Sequence, residues 1–126
     1  DQYDLIAPYI TAIPKNNTKI NINTAPATVL AAIDDRLDAN SIQSMLDAKQ
    51  ANMEYFKSIG DLWSVAPFEQ IDPENKKIAD DLFDVRSTFF KARIEVILSD
   101  RKRQFTSYLL REDKKVYVYS RSLAPF

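Results

Sequence analysis

Two groups of carboxylates are the side chains in this sequence that could most directly do chemistry. They are Asp34, Asp35 and Asp38, and Asp80, Asp81 and Asp84. Carboxylate oxygens are the ligands that hard cations such as Ca²⁺ prefer, so each group is a candidate cation site. Neither group has the Asp-x-Asp-x-Asp-Gly spacing of a calcium-binding loop, and Asp80 and Asp84 would lie one helical turn apart, as on many solvated helix faces. From the residues alone, the metal ligands remain unknown.

The composition removes the usual parts of most catalytic sites. The 126 residues include no His, no Cys and a single Gly, Gly60. His general bases, His-based triads, His metal sites and Gly-rich phosphate loops are therefore excluded. Paired carboxylates alone can hydrolyse glycosides, but nothing in the sequence places two of them across a cleft. We predict that the chain is not an enzyme.

The formal net charge of −1 conceals a division along the chain. Residues 1–84 carry 7 Lys and Arg against 14 Asp and Glu, whereas residues 85–126 carry 10 against 4. The two parts therefore have net charges of −7 and +6. This division is compatible with an ordinary solvated surface, but two oppositely charged faces can also orient a partner or each other.

The stretch 20–33 predicts a short strand followed by a capped helix. Its first four residues alternate Ile and Asn, which is the period of a strand. Thr24 is a predicted N-cap, and Pro26 suits the first helical turn, where no backbone N–H is needed. We expect this helix to run from about residue 25 to residue 33. Its apolar face would hold Val29, Leu30 and Ile33.

Three further helices are predicted from their start signals. Asp38 is a predicted N-cap, Ser58 and Asp61 resemble a capping box, and Asp72 precedes a Pro that fits the first helical position. Upstream, residues 5–13 predict either an apolar strand or a short helical turn. The predicted buried residues of the three helices are Ile42, Met45, Leu46, Ile59, Leu62, Trp63, Ile78, Leu82 and Phe83.

From residue 90 the period of the pattern changes to two. Apolar and polar residues alternate over 90–98, and strand patterns follow at 104–111 and 115–121. The links between these stretches are short, which favours an antiparallel meander. We therefore predict an α+β fold with a three-stranded sheet. The predicted domains are residues 1–19, a strand or linker leading in; residues 20–84, a small helical module; and residues 85–126, the antiparallel sheet.

The Ile-Asn-Ile-Asn-Thr-Ala string at 20–25 resembles the entry to the helix-hairpin-helix domains of competence-type DNA receptors, and this similarity extends to about residue 66. In that family, glycines in the hairpins let backbone N–H groups approach a phosphate. Here the two hairpin positions, 34–38 and 64–68, contain no Gly, and the first contains three carboxylates. Phosphate neutralisation also needs Lys and Arg. A degenerate helix-hairpin-helix module that binds DNA is therefore only the alternative function, and we predict no nucleic-acid partner.

Nearly the whole chain also resembles the C-terminal periplasmic region of the K-type minor pseudopilins of type II secretion (general secretion pathway protein K). Four motifs carry this resemblance, in the order in which that family has them. The resemblance implies a SAM-like, helix-hairpin-helix-like module followed by the antiparallel sheet of a pilin-like fold. The motifs are Ile-Pro at 13–14, Thr-Lys-Ile-Asn-Ile-Asn-Thr-Ala at 18–25, Ser-Thr-Phe-Phe at 87–90 and Ser-Tyr-Leu-Leu-Arg at 107–111.

The same resemblance implies a structural role. The protein is expected to be a tip subunit of the type II secretion pseudopilus that assembles with I-type and J-type minor pseudopilins for protein export across the outer membrane. It would be the periplasmic part of an inner-membrane protein whose N-terminal anchoring helix is absent from this sequence, and calcium is an implied candidate cofactor. The family-motif residues, expected to act in structure or assembly, are Asn21, Asn23, Thr24, Ala25 and Pro26.

The two asparagines of this motif leave two interpretations open. Their amides could contact a partner, or they could satisfy backbone groups around the helix entry, as Asn does in turns. From the residues we favour the second interpretation.

Overall fold

The computed structural model describes residues 2–13 and 18–123, and the chain divides into two units between Arg86 and Ser87. Residue 1, residues 14–17 and residues 124–126 lie outside the described part. Pro14 of the first family motif and parts of the predicted ranges 1–19 and 85–126 therefore also lie outside it. The three predicted domain ranges remain predictions.

The first unit consists of short helices and two very short strands. Its described residues begin with helical turns, which is the second of the two alternatives predicted for this end of the chain. The elements are α1 (Gln2–Ile6), a 3-10 turn (Ala7–Tyr9), β1 (Ile20–Asn21), α2 (Ala27–Ala31), α3 (Ala39–Ala51), α4 (Ile59–Leu62), a 3-10 turn (Phe68–Gln70), α5 (Pro73–Leu82) and β2 (Phe83–Asp84).

The three later helix starts are confirmed by their cap bonds. The Asp38 carboxylate accepts a hydrogen bond from Ser41 N at 2.8 Å, which satisfies one of the free N–H groups at the start of α3. Asp61 accepts from the backbone N of Ser58 at 3.1 Å and completes a capping box for α4. The Asp72 carboxylate caps α5 in the same way. These starts were predictable because a cap is a local interaction.

The predicted start of α2 is wrong. Thr24 N and Ala25 N both donate to the carbonyl of Asn21, at 3.1 and 2.9 Å, so the chain makes a tight turn before any helix begins. Pro26 is the N-cap residue, in an extended conformation, and α2 begins at Ala27. The helix is therefore shorter than the predicted range 25–33, because the turn takes up the first residues of that range.

One core formed by the helices and β2 stabilises the first unit. Its largest fully buried side chains include Leu30, Phe68 and Phe83, none of which is more than 1% exposed. The prediction that Ile78 and Leu82 are buried is wrong, since they are 52% and 47% exposed. Helix α5 instead turns Ala79 inward. The complete buried apolar set is Ile22, Ala27, Leu30, Ile42, Phe56, Leu62, Phe68, Ile71, Ala79 and Phe83.

A two-stranded parallel ladder joins the two ends of the helical unit. Ile20 lies opposite Phe83 and Asn21 opposite Asp84, and Ile22 N donates to Asp84 O at 2.9 Å. The sequence predicted a strand at residues 20–23 but no partner for it. The ladder closes the unit, because β1 precedes all of its central helices and β2 follows them.

The second unit is the predicted antiparallel meander, and this prediction is confirmed. Its strands are β3 (Phe89–Leu98), β4 (Arg101–Glu112) and β5 (Lys115–Leu123), in the order β3-β4-β5. The two hairpin loops have only two residues each, at 99–100 and 113–114, so the strands are longer than predicted. A β-bulge interrupts the β4–β5 pairing, because Tyr108 lies opposite Ser120 whereas Leu109 lies opposite Val118.

The second hairpin loop predicts a stabilising substitution. Asp113 and Lys114 have φ angles of 47° and 65°, a region that disfavours residues with a Cβ and that Gly occupies without strain. We expect Lys114→Gly to raise the free energy of unfolding by about 0.5–1 kcal/mol. Urea unfolding followed by β-sheet circular dichroism measures the change. Lys115→Gly is the control and should destabilise, since Lys115 is paired in the ladder with Glu112. A loss of stability in Lys114→Gly would contradict the turn geometry.

Candidate functional site

The side chain of Asn23 holds together three separate segments of the helical unit. Its Oδ1 atom accepts a hydrogen bond from Phe56 N at 2.8 Å, and its Nδ2 atom donates to Phe56 O at 3.0 Å. The same Nδ2 atom lies 3.4 Å from Val85 O. One amide therefore bonds to the loop after α3, 33 residues away, and to Val85, which directly follows β2 and is 62 residues away. We call this arrangement the Asn23 clasp.

The other motif residues form the turn that presents Asn23. The Asn21 side chain accepts from Asn23 N at 2.9 Å, and Thr24 Oγ1 lies 3.4 Å from Asn21 O. Both asparagines thus bond to backbone groups, as the interpretation favoured from the sequence has it. Their alternative use in partner contacts, and the assembly role of the five motif residues, remain predictions.

A groove of about 570 Å³ lies beside this turn. Thr24, Ala25 and Pro26 line it, together with the exposed Met53 and Tyr55 from the loop after α3. Met53 has a φ of 56°, so the chain reverses there in a conformation that is uncommon for a residue with a side chain. The three motif residues therefore lie at an accessible surface, although Asn23 is committed to the fold.

The first carboxylate group is not assembled around a cation site. The Asp34 side chain is only 3% exposed and accepts from Arg36 Nε at 2.8 Å and from a terminal guanidinium nitrogen at 2.6 Å. Its Oδ2 atom also accepts from Asn75 Nδ2 at 3.1 Å and from Asp72 N at 3.3 Å. Asp38 caps α3. Because the oxygens of Asp34 are taken by donors, this carboxylate ties the loop after α2 to the start of α5.

These bonds have a consequence for the titration of Asp34. The Arg36 guanidinium and backbone, with Asn75, hold the pKa of the Asp34 carboxyl well below its usual range, although burial opposes this. A pKa that is lower in the folded than in the unfolded state stabilises the fold above the unfolded value of about 3.9, and this stabilisation is lost as the pH falls.

We therefore expect Asp34→Asn to lower the melting temperature by several degrees at pH 7, and this difference from the parent to shrink as the pH falls from about 5 to 2. Thermal unfolding at a series of pH values measures it. Asp35→Asn is the matched control, because Asp35 is the adjacent residue and is exposed. A difference that is constant with pH would contradict the assigned role of the ionised Asp34.

The second carboxylate group is also dispersed. Asp80 accepts from Trp63 Nε1 at 3.0 Å. Helix α5 ends at Leu82, so Asp84 lies on β2 and does not follow Asp80 by one helical turn, as the sequence predicted. In residues 2–13 and 18–123, no three His, Cys, Asp or Glu side chains are grouped to hold a metal ion. The two groups do not fit calcium, and calcium as a cofactor remains a prediction from the family resemblance.

Sequence reasoning missed the partners of the two central side chains. The backbone of Phe56 and Val85 could not be matched to Asn23, because nothing local marks them. Asn75 is likewise 41 residues from Asp34. Arg36 was the one partner with a sequence signal, since a cation two residues after a carboxylate can fold back onto it.

The chain is an α+β protein: a helical unit closed by β1 and β2 is followed by a three-stranded meander. Its chemically distinctive side chains form bonds that stabilise the fold. A family model described as "Type II secretion system (T2SS), protein K" matches residues 20–86, more than half of the chain. The chain belongs to this family, the K-type minor pseudopilins, which are structural subunits of a machine of the bacterial cell envelope. The match spans the helical unit from β1 to the last residue before the sheet unit.

A solved structure shares the fold. The chain matches a chain of the crystal structure of the GspK-GspI-GspJ complex from the enterotoxigenic Escherichia coli type 2 secretion system, with a TM-score of 0.77 and 20% sequence identity. The match covers 98% of this chain and 43% of that chain, so this sequence spans less than half of its structural relative. No curated protein matches the sequence. Among the helices described here, none has the length and apolar character needed to cross a membrane.

Proposed function

We propose that the protein is a tip subunit of the type II secretion pseudopilus and assembles there with I-type and J-type minor pseudopilins. The observation that carries this proposal is the protein K match over residues 20–86. The fold match to a chain crystallised in complex with GspI and GspJ supports the same partners. The pseudopilus would serve protein export across the outer membrane.

The proposed mechanism is recognition without catalysis. Two of the residues that could have done chemistry have structural partners: Asn23 bonds to the backbone at Phe56 and Val85, and Asp34 is neutralised by Arg36. The whole sequence contains no His and no Cys, so the commonest general base and the thiol nucleophile are both missing. A subunit of this composition acts through the surfaces that it presents.

The proposed location is the periplasmic side of the inner membrane, with anchoring through an N-terminal helix outside this sequence. Calcium binding would then need ligands beyond residues 2–13 and 18–123, in which no three His, Cys, Asp or Glu side chains are grouped to hold a metal ion. The SAM-like character of the helical unit is part of the same proposal.

Size-exclusion co-elution with purified soluble domains of the I-type and J-type minor pseudopilins from the same source tests the function. We expect a ternary peak, both with and without calcium, and no retention of the chain on a DNA column. Retention on DNA without co-elution would favour the helix-hairpin-helix alternative. Absence of both signals would contradict binding to these partners by this region.

A further inference from the structure

We draw no further inference here: the strongest candidate, the apolar face of the three-stranded sheet that carries the exposed side chains of Phe90, Ile94, Val96, Val116 and Val118, has nothing in the structure to show what covers it.

Discussion

Replacing Leu30 by Ala is expected to lower the free energy of unfolding of the helical unit by about 2–5 kcal/mol. Leu30 lies on α2, has no solvent exposure and belongs to the single core of that unit. Truncation removes buried methyl groups and leaves a cavity that the small surrounding helices fill only in part. Since folded domains are stable by only about 5–15 kcal/mol, a loss of this size removes a large fraction of the stability of the unit.

The measurement is urea unfolding followed by tryptophan fluorescence. Trp63 is the only tryptophan in the sequence and lies in the helical unit, so its signal reports this unit separately from the sheet. Met53→Ala is the control: its side chain is 89% exposed, and truncation should change stability by less than about 0.5 kcal/mol. An unchanged midpoint for Leu30→Ala would show that α2 does not pack as described.

Removing the Asn23 clasp is expected to cost about 2–4 kcal/mol. Asn23→Ala leaves the N–H and the carbonyl of Phe56 without their partner, and a buried polar group that loses its hydrogen bond costs about 1–3 kcal/mol. Phe56 is 2% exposed, so water cannot readily replace the amide. The loop after α3 and the residue that follows β2, Val85, would also lose their common hydrogen-bond partner.

Thr24→Ala is the control for this experiment. Its expected effect on stability differs between the predicted and the observed helix start. A helix N-cap is worth about 1 kcal/mol, and the sequence predicted that role for Thr24. In the structure, Thr24 lies in the turn before Pro26 and caps nothing, so its truncation should change stability by less than about 0.5 kcal/mol. A large loss of stability in Thr24→Ala, together with no loss in Asn23→Ala, would contradict this assignment.

The features that could be predicted from the sequence are those set by neighbouring residues. Asp38, the Ser58–Asp61 pair and Asp72 begin helices because each satisfies N–H groups within three residues of itself. The meander could likewise be predicted, because apolar and polar residues alternate along its strands and two short loops connect them. The family motif pointed to the correct family because its residues recur in a fixed order.

The features that could not be predicted depend on distant parts of the chain. Helix α5 has Ile78, Ala79 and Leu82 within one and a half turns, and only the packing of the other helices decides that Ala79 faces the core. Helix α2 begins later than predicted because the carbonyl of Asn21 accepts hydrogen bonds from two backbone N–H groups in a tight turn that precedes the helix. The role of Asn23 depends on hydrogen bonds to two distant segments, and nothing in the sequence indicates that these segments lie beside it.

The parallel direction of β1 and β2 has a mechanical consequence. In a parallel pair, the chain enters one strand and leaves the other at opposite ends of the ladder. A pull that separates residue 18 from residue 86 therefore slides β1 along β2 and loads their hydrogen bonds together, in shear. An antiparallel pair under the same pull would open one bond at a time. The helical unit is therefore closed by a strand pair in the geometry that resists stretching.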